Sequence, residues 1–420
     1  AYAAHADHYA RRASDAAPRL GGQGQIPTRR ALDEDHANLL QALQTLSEAG
    51  DNERYLRMVF DLFLYWMQSG KQVEAIDTAL AVLERDLGDV DPVVAVKAWW
   101  TTAFLGAEIT RPASVDHARS GLDVARRLGD PRLIGKMELV LGAAIRHSTT
   151  DPDYLQHLEE ARRLLAANPE PYWWDPEWEK GIVDFLLGAY MPASDPRTRE
   201  HLEAAIAIFE SLGDEALLVA SLSESFEDPD VDWARDNLLR ALEITENLEL
   251  PFWGGHAAAF LGALLTTHYA SHESAKRYWS EAIGYLRDCG DISCWASGHR
   301  YLAAIDAQLG LVDEARAHVR TVIDALPSLP MRELHVARLL DASTRVLLES
   351  GKVANSAMVL GLARSIDLSQ AMGLSRTAIH DELRKEIATE IGEERTDQLI
   401  AAGAELTLDD GLELVLRSVD

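Results

Sequence analysis

Three ten-residue stretches of the chain carry one pattern of apolar and polar positions without a gap. Gly121–Asp130, Ala205–Asp214 and Ala282–Asp291 each read small, apolar, two variable, apolar, two polar, apolar, Gly, Asp. The apolar spacing is that of the last turns of an amphipathic helix; the glycine suits a left-handed C-cap and the aspartate the start of the next helix. Looser copies at Ala42–Asp51, Ala79–Asp89, Ala241–Leu250, Val322 to Pro327 and Gly361–Ile366 recur at intervals of roughly 40 residues, with a degenerate copy near Ala161. The segments between closures, among them Val93–Ile109, Leu133–Arg146, Glu179–Tyr190 and Phe252–Tyr269, are Ala-rich and apolar and never alternate with period two, so strands are not expected. The pattern predicts an all-α, right-handed solenoid of antiparallel helix pairs, with about eight or nine repeats of roughly 40 residues.

A second turn recurs within the pairs. Gly70-Lys-Gln-Val-Glu-Ala75 and Gly310-Leu-Val-Asp-Glu-Ala315 share a Gly-x-x-x-Glu-Ala form, and Gly351 to Ala357 is one residue longer. With Leu302, Ala303 and Pro327 at the matching offsets, the repeat around Val322 resembles a tetratricopeptide unit, and the array resembles that class with lengthened repeats.

Charge narrows the partners. Asp and Glu total 68 against 40 Lys and Arg, a net charge of −28, so direct nucleic-acid binding is not expected and a basic partner suits better. Two cysteines, Cys289 and Cys294, exclude a disulfide framework and point to the cytoplasm. Ala1–Arg12 carries His, Asp and Arg, unlike a secretion signal. Leu250 to His272 lacks formal charge, but its Pro, Gly, His and Thr residues fit a packed core helix and no membrane span is expected.

Both ends narrow the resemblance. Leu32-Asp-Glu-Asp-His-Ala-Asn-Leu-Leu-Gln-Ala-Leu43 is similar to the acidic helix that opens the repeat region of bacterial signal-transduction ATPases, including SARP-like activators, LuxR-type large ATP-binding regulators and cyclase fusions, although Asp35 replaces the usual Glu and the Trp that often follows is absent. Tyr2 to Ala16, with His5, His8 and Tyr9, resembles the linker leaving their nucleotide-binding module. Ala388 to Gly403 and Leu406 to Leu416, with Thr407 as N-cap, resemble their closing segment. The resemblance implies residues 1–31 as linker helix and loop from a missing N-terminal ATPase module, 32–355 as the repeat array and 356–420 as capping helices. It implies ATP only in that missing module, no cofactor in this fragment, and an effector N-terminal to it if Asp420 ends the chain. The function implied is a non-enzymatic protein-interaction and sensor domain of a bacterial transcriptional regulator, binding a protein partner or its own N-terminal domains. The alternative is a receptor for a sugar or metabolite inducer. Uncapped apolar ends would favour a homo-oligomer.

Catalytic motifs are missing. Lys71, Lys136 and Lys352 follow glycines without the Ser or Thr of a phosphate-binding loop, and Gly-x-Ser-x-Gly and His-Glu-x-x-His are absent, so no enzyme is expected. Cys289, Cys294 and His299 lack a fourth ligand, and His268 and His272 lack an acidic companion, so no metal is expected. The acidic runs Asp33–Asp35 and Glu224–Asp232 read as solvated faces and turns. Gly373–Ile379 with Leu383 has helix-turn-helix offsets, but Asp381, Glu382, Glu386 and Glu390 oppose DNA, and a solenoid cap is expected. The aromatic residues are the positive hint of a binding surface. A ligand or partner groove is expected at Trp66, Trp99, Trp100, Trp178, Trp253 and Trp295, with His256, His299 and Arg300 as polar contacts, and Tyr172, Trp173 and Trp174 nearby.

Overall fold

The computed structural model describes residues 2–148, 153–169, 173, 175–248, 250–269, 271–366 and 376–419. All regular elements among them are helical. The chain divides into two compact units: Ala1–Ala257 with Asp288–Asp291, and Ala258–Arg287 with Ile292–Asp420. The first contains α1 (Tyr2–Ala16), α2 (Gln25–Glu34), α3 (His36–Glu48), α4 (Asn52–Asp61), α5 (Phe63–Gln68), α6 (Gln72–Leu83), α7 (Pro92–Glu108), α8 (Ser114–Leu128), α9 (Pro131–Ser148), α10 (Tyr154–Ala167), α11 (Pro176–Tyr190), α12 (Pro196–Leu212), α13 (Glu215–Ser223), α14 (Val231–Leu248) and the start of α15 (Pro251–His268). The second continues with α16 (His272–Asp288), α17 (Ile292–Gln308), α18 (Val312–Ala325), α19 (Arg332–Glu349), α20 (Val353–Ser365), α21 (Arg376–Ile391), α22 (Glu393–Ala404) and α23 (Leu408–Val419). Among the described residues, no helix is long and apolar enough to cross a membrane.

Helices pair with their sequence neighbours: α7 with α8, α9 with α10, α11 with α12, α17 with α18 and α19 with α20. The first helix of each pair also packs on the next such helix, as α7 does on α9 and α17 on α19. Sequence dictates this layering. α7 and α13 are apolar nearly all round and bury most of their residues, whereas α8, α10 and α12 carry one apolar stripe each and expose the rest. The glycine closures work as the pattern predicts: Gly129 and Gly213 sit in the left-handed region at φ 72° and 67°, where a Cβ would be strained. Asp130 and Asp214 then accept the amides of Arg132 and Leu217 at the following helix starts.

The acidic helix expected over Leu32–Leu43 is broken at Asp35, where α2 ends and α3 begins. Of the three carboxylates of the Asp33–Asp35 run, only Glu34 stays on a solvated face. Asp33 accepts from Arg29, Tyr65 and Ser69, and Asp35 pairs with Arg12 at 2.5 Å and accepts from Tyr9. These partners, 26 to 36 residues away for Tyr9, Tyr65 and Ser69, draw the run inward.

Residues 20–29, which run into the first half of α2, cross the first unit as a strap. The Leu20 carbonyl accepts from Gln68 Nε2 at 2.8 Å, and Gly21 lies so close to the Trp178 indole that a Cβ would stand 2.8 Å from Nε1. Gln25, 1% exposed, donates to the Gly213 carbonyl and accepts from the Ala216 amide, each at 3.1 Å. Arg29 donates to the Leu248 carbonyl at 3.2 Å. In the second unit α20 and α22 cross at Gly361 and Gly403; a Cβ on Gly403 would fall 1.9 Å from the Met358 carbonyl oxygen.

Candidate functional site

Charge appears in the first unit where core helices are otherwise apolar. Lys97 and Glu108 lie on α7, Lys136 and His147 on α9, Glu179 and Tyr190 on α11, and each pair is separated by 11 positions. Eleven residues are three helical turns, so the members of a pair share one face about 16 Å apart along the axis. Buried Thr101, Phe104, Val140, Ala144 and Leu186 lie between them. The three neighbouring helices thus carry an upper and a lower polar tier separated by an apolar belt.

The upper tier is built around Trp173. The Lys97 ammonium stands 4.6 Å from the Phe60 ring centre and 5.9 Å from that of Trp173, and the Lys136 ammonium 4.9 Å from Trp173. Phe60 and Trp100 meet Trp173 edge-on at 5.5 and 5.6 Å. Lys136 is ion-paired with Glu179, whose Oε1 also accepts the Trp173 amide at 3.2 Å. Burial pulls the Lys136 pKa down against that pairing. Asp61, at the end of α4, faces the same tier; burial pushes its carboxyl up to about 6, against the pull of Lys97 and Arg57 and a Ser14 hydrogen bond.

The lower tier gathers acid and imidazole groups at helix ends, where last-turn carbonyls add negative potential. Tyr190 donates to Glu108 Oε1 at 2.7 Å, and the His147 ring meets Tyr190 edge-on at 5.1 Å. Arg146 pairs with Glu227 at 3.4 Å. His256 Nε2 lies 3.0 Å from Asp291 Oδ2, while its Nδ1 lies 3.0 Å from the Phe252 carbonyl. Thr110 Oγ1 donates to Asp291 at 3.5 Å from a left-handed backbone, φ 55°, that a β-branched residue rarely adopts.

Electrostatics bind this tier into one titrating group. Burial, offset in part by the Tyr190 hydrogen bond and His256, lifts Glu108 to about 7. Burial and the Glu108 charge lift Glu224 to about 8. Burial and Arg146 depress His147 to about 4. Burial also opposes the His256 imidazolium, but the Asp291 hydrogen bond and charge outweigh it and its pKa is raised. Glu108, His147 and Glu224 keep part of their surface accessible although protein surrounds them. They are half-buried at the tier, and the Glu224–Asp232 run starts here instead of on a solvated face.

Of the residues expected at a groove, Trp66, Trp100, Trp178 and Trp253 are buried. Trp66 packs beside Tyr65 and His36; Trp253 packs against Phe185 and Phe252; the Trp178 indole donates to buried Asp214 at 2.9 Å. Half-buried Trp99 faces His117 at 5.8 Å. Trp100 belongs to the upper tier and His256 to the lower. Trp295, His299 and Arg300 belong to the second unit, where Trp295 meets His299 at 4.7 Å, His299 Nδ1 lies 2.7 Å from His318 Nδ1, and Arg300 covers Tyr301. Tyr172, Trp174 and Gly373 to Ser375 lie outside the described residues. Sequence reading missed Asp61, Lys97, Lys136, Glu179, Glu108, His147 and Tyr190 as a set. The 11-residue spacing inside three consecutive apolar segments was the visible sign.

No protein-family model matches the chain, and no curated protein matches it. Among solved structures, the human IFIT1 dimer with m7Gppp-AAAA is similar over 98% of this chain and 95% of that one, at 14% identity and a TM-score of 0.52. At that identity the likeness is one of fold: both are all-helical arrays of the tetratricopeptide-like class.

Proposed function

We propose that the chain is a non-enzymatic, tetratricopeptide-like binding and sensor domain that holds a small molecule on the two-tiered face of its first unit. The observation that carries this reading is the lower tier itself: two half-buried carboxyls, Glu108 and Glu224, set inside an apolar layer beside Tyr190, His147 and the His256–Asp291 pair, with burial raising both toward neutral pH. Burying such groups costs stability, and a ligand that satisfies them recovers it. The resemblance of the two chain ends supports the wider setting, a bacterial regulator in which this domain controls an N-terminal ATPase or effector module and needs no cofactor of its own. Ligand-dependent stabilisation of the first unit would then bias a neighbouring module by differential affinity.

The test is a thermal-shift and tryptophan-fluorescence screen of the chain against a metabolite library. A saturable hit that raises the melting temperature, and that Glu108→Gln or Lys136→Met abolishes, supports the reading. Hits insensitive to both tiers, or none across the library, sink it and leave a protein partner as the occupant.

A further inference from the structure

We propose that the upper tier is a binding site for a small zwitterion of the α-amino-acid class, with the ligand carboxylate on the Lys97 ammonium, the ligand ammonium on the Asp61 carboxylate, and the ligand side chain against Trp173, which buried Phe60 and Trp100 hold in place. This rests on the small-molecule reading above and names the ligand class.

The first support is an imbalance between adjacent charges. Lys136 and Glu179 are ion-paired within the tier. Lys97 and Asp61 are half-buried and close enough for each to shift the other's titration, yet neither is ion-paired with the other or with any described residue. Asp61 has the Ser14 hydroxyl; Lys97 has aromatic faces. Burial lowers the Lys97 pKa and raises that of Asp61, the directions of two charges short of solvation.

The second support is stoichiometric. A ligand bearing one charge answers one of these groups and adds an uncompensated charge beside the other. A neutral polyol compensates neither. A zwitterion supplies both counter-charges, and each contact is a charge-assisted hydrogen bond in a water-poor setting. The third is shape: half-buried Trp173, held edge-on by buried Phe60 and Trp100 at 5.5 and 5.6 Å, is a fixed apolar face beside Lys97, which favours an apolar or aromatic side chain.

The experiment titrates the full chain near neutral pH with L-phenylalanine, 2-phenylethylamine and 3-phenylpropionate, read by calorimetry and tryptophan fluorescence. L-Phenylalanine is expected to bind saturably with Kd below about 1 mM, and each single-charge analogue at least about tenfold more weakly. Lys97→Met and Asp61→Asn should each weaken L-phenylalanine about tenfold or more. Asp61→Asn should also erase the preference for L-phenylalanine over 3-phenylpropionate, a change in selectivity that a folding defect cannot mimic. Equal affinity for the three compounds, or no saturable response to L-phenylalanine, L-tryptophan, L-leucine or L-methionine at about 5 mM, overturns the assignment. If another metabolite class stabilises the chain through the tiers while all four amino acids fail, the zwitterion assignment falls and the binding-domain reading stands.

Discussion

Replacing Gln25 by Ala tests whether the strap is held by specific polar contacts or only by apolar packing. The side-chain amide spans the turn between α12 and α13, donating to the Gly213 carbonyl and accepting from the Ala216 amide, both at 3.1 Å. Gln25 and the Ala216 contact are buried, so water cannot readily replace the lost partner. The part-buried bond to Gly213 lost at about 1 kcal/mol net and the buried Ala216 amide orphaned at about 1–3 kcal/mol give a loss of about 2–4 kcal/mol. That energy opposes local release of the strap rather than unfolding of the whole array, so the assay is native-state hydrogen exchange read by mass spectrometry on peptides spanning residues 18–30. Exchange of the amides of Gln25 and Thr28, which bond to the Gly22 and Gly24 carbonyls, should accelerate by about thirtyfold to several hundredfold. Arg29→Met, which breaks the separate contact to Leu248, should accelerate the same peptides, while peptides from α9 and α10 keep their protection in both variants. An acceleration below about threefold for Gln25→Ala would refute the polar-latch reasoning and leave Leu20 packing as the anchor.

Stability should depend on pH through the lower tier. Glu108 and Glu224, with folded pKa values of about 7 and 8 against an ordinary 4.5, are more readily protonated in the fold, so their contribution is complete at acid pH and is lost as pH rises through 7 to 8. Glu224→Gln is therefore expected to melt higher than the parent at pH 8 and no higher at pH 5, and parallel profiles would contradict it. His147 acts oppositely: with its pKa depressed from 6.5 to about 4, its contribution is full above pH 6.5 and lost as pH falls through 4, so His147→Gln should reduce the acid-side loss in a circular-dichroism melt series. Gly403→Ala drives a Cβ into the Met358 carbonyl and should destabilise the second unit by about 1–3 kcal/mol or more. Gly284→Ala, with nothing within 4 Å, should instead stabilise α16 by about 0.5–1 kcal/mol; urea titrations giving both variants the same sign would refute the close-approach account.

The fold was legible because its punctuation is local. Gly129–Asp130 and Gly213–Asp214 state a helix end and a helix start within two residues, and no distant partner is needed to read them. Asp291 shows where such reading stops. It follows the same Gly-Asp rule, but its buried carboxylate reaches His256 and Thr110, 35 and 181 residues away. The site was partly written in the sequence, since charges at 11-residue spacing inside apolar helices signal a polar stripe. Tryptophan abundance pointed less well, because a large ring serves a core as readily as a groove, and Trp66 and Trp253 are in the core. Nothing local could show that Lys97 lies near enough to Asp61 to influence its charge, since α4 and α7 are brought together only by packing.

A repeat array can in principle be assembled one hairpin at a time as the chain emerges, each new pair docking on the last. The strap is an exception to that schedule. Gln25 must wait for Gly213 and Ala216, 188 and 191 residues downstream, and Arg29 for Leu248, 219 residues downstream. At about 5–20 residues per second, that is a delay of roughly 10–40 s during synthesis. Through that interval Gln25 and Arg29 lack these downstream contacts, which makes this short stretch the natural place for a chaperone to engage the nascent chain. A fragment ending before α13 keeps Gln68 and Gly213 but lacks Ala216 and Leu248, and so leaves the strap half latched.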